Sequence, residues 1–228
     1  SRLGLDVTGP DIGKARSSAK IETDFGGFSG SNTMLRIRQA YVNLDWGKSA
    51  VLVGITWHPL FGAVMPDVLN LSTGAPFQPF NRSPQIRYQY KANSRVQLTA
   101  SVLWQLQYLS SGPKGMSEDY IKNSCIPEMF VGADFTPADG WLMGLGAHMI
   151  SLKPRTSTEW KEQTFKVNER MTAFSYEAHL KYSGRNYTFA AKTLMASALD
   201  HTALLGGYGV SSVDSRTGEQ GYTPFRHS

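Results

Sequence analysis

The feature that most constrains the fold is a long alternation of apolar and polar residues. The even positions from Val96 to Tyr108 are apolar or aromatic, whereas most odd positions between them are polar. The alternation is about twice as long as an ordinary strand of about five or six residues. Because successive side chains of a strand point to opposite faces, it predicts a long strand with one apolar and one polar face.

Similar alternations recur along the chain and predict ten strands, with no convincing amphipathic helix. They cover Leu3–Val7, Ile21–Phe25, Leu35–Trp46, Val51–Trp57, Ile86–Tyr90, Val96–Tyr108, Met129–Phe135, Trp141–Met149, Phe174–Tyr182 and Tyr187–Met195. The pattern is all-β. We expect residues 1–228 to form one β-barrel domain, since ten long strands leave no room for a second domain.

The connections between these strands alternate in length. Tight turns rich in Gly and Asn occur near residues 47–48, 92–93, 138–140 and 184–186, and long polar stretches cover 58–82, 110–127, 152–170 and 198–228. Transmembrane β-barrels combine short periplasmic turns with long external loops. We therefore expect an antiparallel transmembrane β-barrel in the outer membrane of a Gram-negative bacterium.

Composition agrees with a barrel and disfavours other classes. Only 18% of residues are charged, and the net charge of +5 is spread along the chain, so no nucleic-acid-binding stripe is present. The single cysteine, Cys125, excludes an intrachain disulfide. Aromatic residues are expected to form girdles at the two membrane interfaces. At the turn side these are Trp46, Tyr90, Phe135, Trp141, Tyr182 and Tyr187, and at the loop side Trp57, Tyr108 and Phe174.

One predicted strand, Leu35–Trp46, changes phase along its length. Its apolar residues are first odd (Leu35 and Ile37) and then even, from Ala40 onward. A strict strand would point Arg38 at lipid, at a cost of about 2–4 kcal/mol near the midplane. A β-bulge near Arg38–Gln39 would correct the phase and place Arg36 and Arg38 on the polar face.

The polar faces would line a water-filled path. Candidate lining residues are Arg36, Arg38, Arg87, Lys91, Glu177, His179, Lys181 and Lys192. Because their signs are mixed, only a weak charge preference is expected, for anions if the basic residues meet on one wall. A plain solvated face is the alternative.

The stretch from His58 to Arg82 is apolar and rich in proline, and it needs a place to bury its apolar side chains. Folding into the barrel would narrow it, with His58, Phe61, Asp67, Phe77, Phe80 and Arg82 as candidate constriction residues. Packing against a neighbouring subunit and a compact external loop are the alternatives.

Nothing in the sequence predicts catalysis or a cofactor. There is no G-x-S-x-G motif, and no pair among the five histidines has metal-ligand spacing. Glu177 and His179 share one face, where an ion pair is favoured over an acid–base pair. We therefore expect no enzymatic activity, catalytic residue, cofactor or metal.

Four segments carry a family resemblance: Ile55–Phe61, Pro66–Phe77, Trp104–Tyr108 and Leu205–Gly209. They resemble the outer-membrane porins of Bacteroidetes, which are distantly similar to phosphate-selective and dicarboxylate-type porins. The resemblance implies a 16-stranded barrel, a homotrimer and an inward loop. It also implies that this chain is incomplete at both ends, because it opens within a strand and closes in a loop.

The expected function is passive diffusion of small hydrophilic solutes through a porin in contact with outer-membrane lipid. Two alternatives remain open at this point. One is a soluble β-barrel or sandwich that binds a ligand, because alternation alone does not exclude it. The other is a non-conducting outer-membrane barrel that binds partners at its surface.

Overall fold

The computed structural model describes residues 2–25, 35–62, 64 and 78–227. In chain order its strands are β1 (Arg2–Thr8), β2 (Arg16–Asp24), β3 (Arg36–Asp45), β4 (Ser49–Trp57), β5 (Arg82–Lys91), β6 (Val96–Leu103), β7 (Ser111–Gly112), β8 (Gly115–Met116), β9 (Glu128–Phe135), β10 (Trp141–Leu152), β11 (Ser157–Trp160), β12 (Gln163–Lys166), β13 (Met171–Ser183), β14 (Thr188–Ser197), β15 (Tyr208–Val213), β16 (Gln220–Pro224) and β17 (Arg226–His227). Helical elements are α1 (Asp119–Ser124) and the 3-10 helices Pro59–Phe61 and Asp200–Thr202. None of the described helices has the length and apolar character needed to cross a membrane.

One antiparallel sheet contains all ten predicted strands. Its order is β1-β2-β3-β4-β5-β6-β9-β10-β13-β14-β17, and the hairpins β7–β8, β11–β12 and β15–β16 lie outside it. Each long strand therefore pairs with the long strands before and after it in the chain. Within the described part of the chain, β1 pairs only with β2, so the sheet is not closed into a complete barrel.

The apolar side of the long strands lies on the exposed surface. It includes Leu5, Val53, Ile86, Leu98, Val131, Leu145, Phe174 and Phe189. In β10, for example, Leu145 is 67% exposed while the nearby His148 is 1% exposed. A soluble barrel would bury such a face, whereas an exposed apolar surface of this extent fits contact with lipid.

The predicted bulge in β3 is confirmed. Glu22 pairs with Gln39 and Thr23 pairs with Ile37, so Arg38 is the extra residue between two registers. Arg38 is 7% exposed and bonds to Glu22 and Asp24 on the polar side. The extra residue rotates the strand so that Ile37 and Val42 both stay on the exposed apolar side.

The alternation from Val96 to Tyr108 does not form one strand, so that prediction was wrong beyond Leu103. β6 ends at Leu103, and beyond it the Gln105 side chain is 1% exposed and bonds within the interior. Gln105 Oε1 accepts a hydrogen bond from the Ser110 N–H (2.9 Å), and Gln105 Nε2 donates to Glu128 Oε1 (2.9 Å). Tyr108 consequently lies outside the sheet and cannot belong to a strand-borne girdle.

Three of the six predicted turn-side aromatics, Trp141, Tyr182 and Tyr187, lie together. The rings of Trp141 and Tyr182 are 4.7 Å apart, and those of Tyr182 and Tyr187 are 5.7 Å apart. At the other end, Phe174 is exposed on the apolar side of β13. Trp57 was assigned wrongly, because it stacks on Phe61 at 4.1 Å and lines an interior cavity.

Two small cores fill the loop side of the molecule. Tyr120 and Ile121 of α1 pack on Ile150, Leu152 and Met171, so the predicted long loops form a folded cap. Below it, the second core joins β6, β9 and β14 to the segment after β4. It consists of Leu60, Leu103, Phe130, Ala196 and Leu199. These contacts hold the segment after β4 against the inner face of the sheet.

Candidate functional site

A short segment, His58–Gly62, folds over the polar face of the sheet; we call it the inward segment. Its 3-10 helix, Pro59–Phe61, has proline at its start, and the His58 Nδ1 accepts the Leu60 N–H at 3.2 Å. The His58 N–H donates to the Asn81 carbonyl at 3.0 Å. These residues lie over the polar face of the sheet, and the role of the stretch as a constriction stays a prediction. The constriction candidates Asp67 and Phe77 lie outside the described residues.

The other described constriction candidates pack around the inward segment. Phe61 and Phe80 both contact the Trp57 ring, with centroids 4.1 and 5.1 Å from it. The Arg82 guanidinium lies 4.8 Å from the Trp57 ring centre in cation–π geometry. Arg82 is 2% exposed, so the end of the stretch near Phe80 and Arg82 is packed in the interior and is not a solvated loop.

A cavity of about 240 Å³ lies between the inward segment and the sheet. Its lining combines apolar side chains, such as Trp57 and Phe130, with polar ones. It includes Arg87 and Gln89 of β5, Gln97 and Thr99 of β6, Asp134 of β9, and Glu177 and His179 of β13. The sequence-predicted residues Arg87, Glu177 and His179 therefore share one cavity with His58.

His179 lies between two carboxylates at this cavity. Its Nε2 is 3.1 Å from Asp134 Oδ1, and its Nδ1 is 3.2 Å from Glu177 Oε2. The close approach depends on Gly144, where a Cβ would overlap the His179 ring. The ion pair expected for Glu177 and His179 is present.

Lys192 joins this group to the inward segment. Its Nζ donates to the carbonyl oxygens of Leu60 (2.5 Å) and Phe61 (3.3 Å) and is 3.8 Å from Glu177 Oε2. The inward segment follows β4 directly, and Lys192 holds it to β14, which is far from β4 in the strand order. The Lys181 side chain makes no hydrogen bond or ion pair with the described residues, although Lys181 is on β13.

The basic candidates do not meet on one wall. Arg36 and Arg38 pair with Asp24 on β2, at 2.6 and 2.8 Å. Arg87 donates to Gln85 Oε1 and to the Trp57 carbonyl, and Lys91 is exposed at the turn end of β5. Lys192 is on β14, away from these strands.

A fully buried cluster was missed by the sequence reasoning; we call it the histidine–glutamate cluster. His58, His148 and His201 place their Nε2 atoms 3.3, 3.2 and 3.1 Å from Glu128 Oε2. All four side chains are 0–1% exposed. The histidines are far apart in the chain, so no spacing motif could reveal the cluster.

The cluster has a defined proton arrangement at His58. Since the Leu60 N–H donates to Nδ1, neutral His58 carries its proton on Nε2 and donates it to Glu128. Burial lowers the pKa of His58 to about 4, although Glu128 opposes this, so His58 is neutral at pH 7. Burial also disfavours a charged His201, but the Glu128 carboxylate outweighs it and raises the pKa of His201.

Comparison with known proteins gives one fold-level likeness. No protein-family model matches the chain, and no curated protein matches it. Among solved structures, it is similar to a loop L8 deletion mutant of OmpT, an outer membrane protein of Vibrio cholerae. The match has a TM-score of 0.54 and 14% identity, and it covers 86% of this chain and 60% of that protein.

This likeness and the histidine–glutamate cluster correct one expectation. The sequence predicted no enzymatic activity because its histidines are scattered along the chain. That prediction was wrong. The fold brings three of them to one carboxylate, and a barrel likeness carries no function by itself. The expected location in the outer membrane agrees with the likeness. The chain has the all-β fold of an outer-membrane β-barrel protein.

Proposed function

We propose that the protein is a porin, a water-filled channel for passive diffusion of small hydrophilic solutes across the outer membrane. The observation that carries this proposal is the pairing of an exposed apolar face with a polar inner face that borders a cavity. A lipid-facing outside and a polar inside are the two surfaces that a conducting barrel needs. The inward segment narrows the space over that inner face.

A weak preference for anions is part of the proposal. The charges of Arg36 and Arg38 are balanced by Asp24 and Glu22. Arg82 and Arg87, in contrast, form no ion pair with a described carboxylate, and their hydrogen bonds go to neutral groups. Because uncompensated charge beside a narrow passage attracts counter-ions, Arg87, which lines the cavity, favours anions, and the buried Arg82 adds to the same positive potential.

The resemblance to Bacteroidetes porins in segments such as Ile55–Phe61 and Leu205–Gly209 supports the same function. With it we propose a homotrimer in contact with outer-membrane lipid. The exposed apolar face disfavours the soluble alternative, because such a face would be unstable in water. The non-conducting alternative differs from a porin in one measurable property, its conductance.

Planar-bilayer recording of the full-length protein tests the proposal. Stepwise conductance supports a porin, whereas a folded protein that inserts without conductance would contradict it. Reversal potentials in a salt gradient should shift toward weaker anion preference in Arg87→Gln and Arg82→Gln. Arg95→Gln removes the same charge from an exposed turn and should leave the reversal potential unchanged.

A further inference from the structure

Three imidazole nitrogens converge on one carboxylate oxygen in the histidine–glutamate cluster. The Nε2 atoms of His201, His148 and His58 lie 3.1, 3.2 and 3.3 Å from Glu128 Oε2, and the four ligand atoms all lie within 4.8 Å of one another. Ligand atoms of a tetrahedral zinc ion with bonds of about 2.0–2.1 Å are separated by about 3.3 Å. The spacing from the carboxylate oxygen to each nitrogen therefore matches one edge of a coordination tetrahedron.

Hydrogen bonding alone explains this convergence poorly. A carboxylate oxygen has two lone pairs, so three N–H donors cannot all be well directed at Glu128 Oε2. The other oxygen, Oε1, accepts a separate hydrogen bond from Gln105 Nε2 at 2.9 Å. Carboxylates that bind a metal are commonly held in place by a hydrogen bond to their other oxygen, as Gln105 holds Glu128.

We propose that His58, Glu128, His148 and His201 hold one divalent transition-metal ion, with zinc as the preferred ion. Imidazole and carboxylate are ligands that zinc takes readily, and four protein ligands complete its tetrahedron. The side chains are 0–1% exposed, and the donor set leaves no position for water or substrate. The site is therefore structural in type.

The metal would change one hydrogen bond in a defined way. His58 now accepts the Leu60 N–H on Nδ1 at 3.2 Å, which places its proton on Nε2. Coordination through Nε2 moves that proton to Nδ1, so the long bond from Leu60 is lost. The metal-free and metal-bound states thus differ in the His58 tautomer, which nitrogen chemical shifts report.

The proposed ion would link two loop segments to strands β9 and β10 of the sheet. His58 begins the inward segment, and His201 lies in the 3-10 helix Asp200–Thr202, whereas Glu128 and His148 are on β9 and β10. The segments already touch, since the Asn81 Nδ2 donates to the His201 carbonyl at 2.9 Å. The inference does not depend on channel activity.

Metal content of the full-length protein, purified in detergent without a histidine tag, tests the inference directly. After chelator treatment and dialysis against excess Zn²⁺, we expect one zinc per chain by elemental analysis and a higher melting temperature. Co²⁺ in place of Zn²⁺ should give the visible absorption of a tetrahedral site. A protein that folds but retains no Zn²⁺ and shows no such Co²⁺ spectrum overturns the proposal.

Variants assign the metal to these residues. His148→Ala and Glu128→Gln should both lose the bound zinc and the zinc-dependent rise in melting temperature. His179→Gln is the matched control, because His179 is another buried histidine between carboxylates. Retention of zinc by folded His148→Ala, or equal loss in His179→Gln, would contradict the assignment. If the variants do not fold, the Co²⁺ spectrum of the unmodified protein still decides.

Discussion

Arg38 donates a hydrogen bond from Nη1 to Asp24 Oδ2 at 2.8 Å, and it reaches this carboxylate only because it is the extra residue of a β-bulge. The same guanidinium bonds to Glu22 Oε1 at 2.5 Å. Arg38 thus joins β3 to β2 on the inner face, and its side chain is only 8% exposed, so water screens these charges weakly.

Removing this buried ion pair should destabilise the sheet. Arg38→Met leaves Asp24 and Glu22 with fewer donors, so the free energy of unfolding should fall by about 1–3 kcal/mol. Arg16→Met is the control, because Arg16 pairs with Asp45 across the same two strands but its side chain is 75% exposed. Its loss should stay within about 1 kcal/mol. Urea unfolding in detergent micelles measures both, and equal losses would contradict the prediction.

The contact between β3 and β4 requires glycine at position 54. Gly54 has φ of +135°, and a Cβ there would overlap the Ala40 carbonyl oxygen and lie 2.6 Å from the Tyr41 Cα. Gly54→Ala should therefore cost about 1–3 kcal/mol from backbone strain alone. At Gly4 the nearest atom is 4.0 Å away, so Gly4→Ala should fold almost normally. Comparison of refolding yields and melting temperatures checks this, and a normal Gly54→Ala would refute it.

Lys192 should control how firmly the inward segment is held. In Lys192→Met the carbonyl oxygens of Leu60 and Phe61 lose their shared donor, so the segment should move more freely. Under the proposed porin function, we expect a larger single-channel conductance with more current fluctuation. Lys181→Met removes the same charge from β13 without removing a described hydrogen bond. A similar change in both variants would mean that charge, and not the anchor, matters.

The cap on the loop side should weaken in acid through Glu169. Burial opposes ionisation of Glu169, but the Arg155 side chain, the Gln220 N–H and the Tyr222 O–H all donate to its carboxylate and lower its pKa. A lowered pKa in the folded state adds stability above the unfolded value of about 4.3, and this stability is lost as the pH falls through the folded pKa.

Melting temperatures measured from about pH 6 to about pH 3 test this sign. The unmodified protein should lose stability on acidification more steeply than Glu169→Gln, because the variant has no carboxylate to protonate. Glu159→Gln, at an exposed position of β11, is the control and should follow the unmodified protein. Parallel curves for all three proteins would show that Glu169 does not link the cap to pH.

Tryptophan fluorescence should separate lipid-facing from interior rings. Trp46 and Trp141 are 45% and 37% exposed at the turn side, whereas Trp57 stacks on Phe61 in the interior. In single-tryptophan variants reconstituted with brominated lipids, Trp46 and Trp141 should be quenched and Trp57 should not. Strong quenching of Trp57 would place it at the membrane interface after all.

The sequence by itself determined the ten long strands, their two faces and the bulge, because each depends on the alternation of side chains along a few neighbouring residues. The short hairpins of the loop side were not predicted. The phase change between Ile37 and Ala40 placed the bulge near Arg38–Gln39, and the structure shows that the extra residue is Arg38. The sequence did not reveal that β6 stops at Leu103, where the following residues fold back and Gln105 bonds to Glu128 and to Ser110. The prediction for Trp57 was wrong because its stacking on Phe61 depends on how the segment after β4 folds back.

Only the tertiary structure decided which groups meet. His58 follows β4, His148 is on β10, and His201 is in a 3-10 helix after β14. The pairing of the strands and the folding back of the loops bring all three to Glu128. Contacts of this kind depend on strand register and on how the loops fold back, and these are set by packing across the whole sheet. A local sequence pattern predicts which face of a strand is polar, but it does not predict which distant side chains that face contacts.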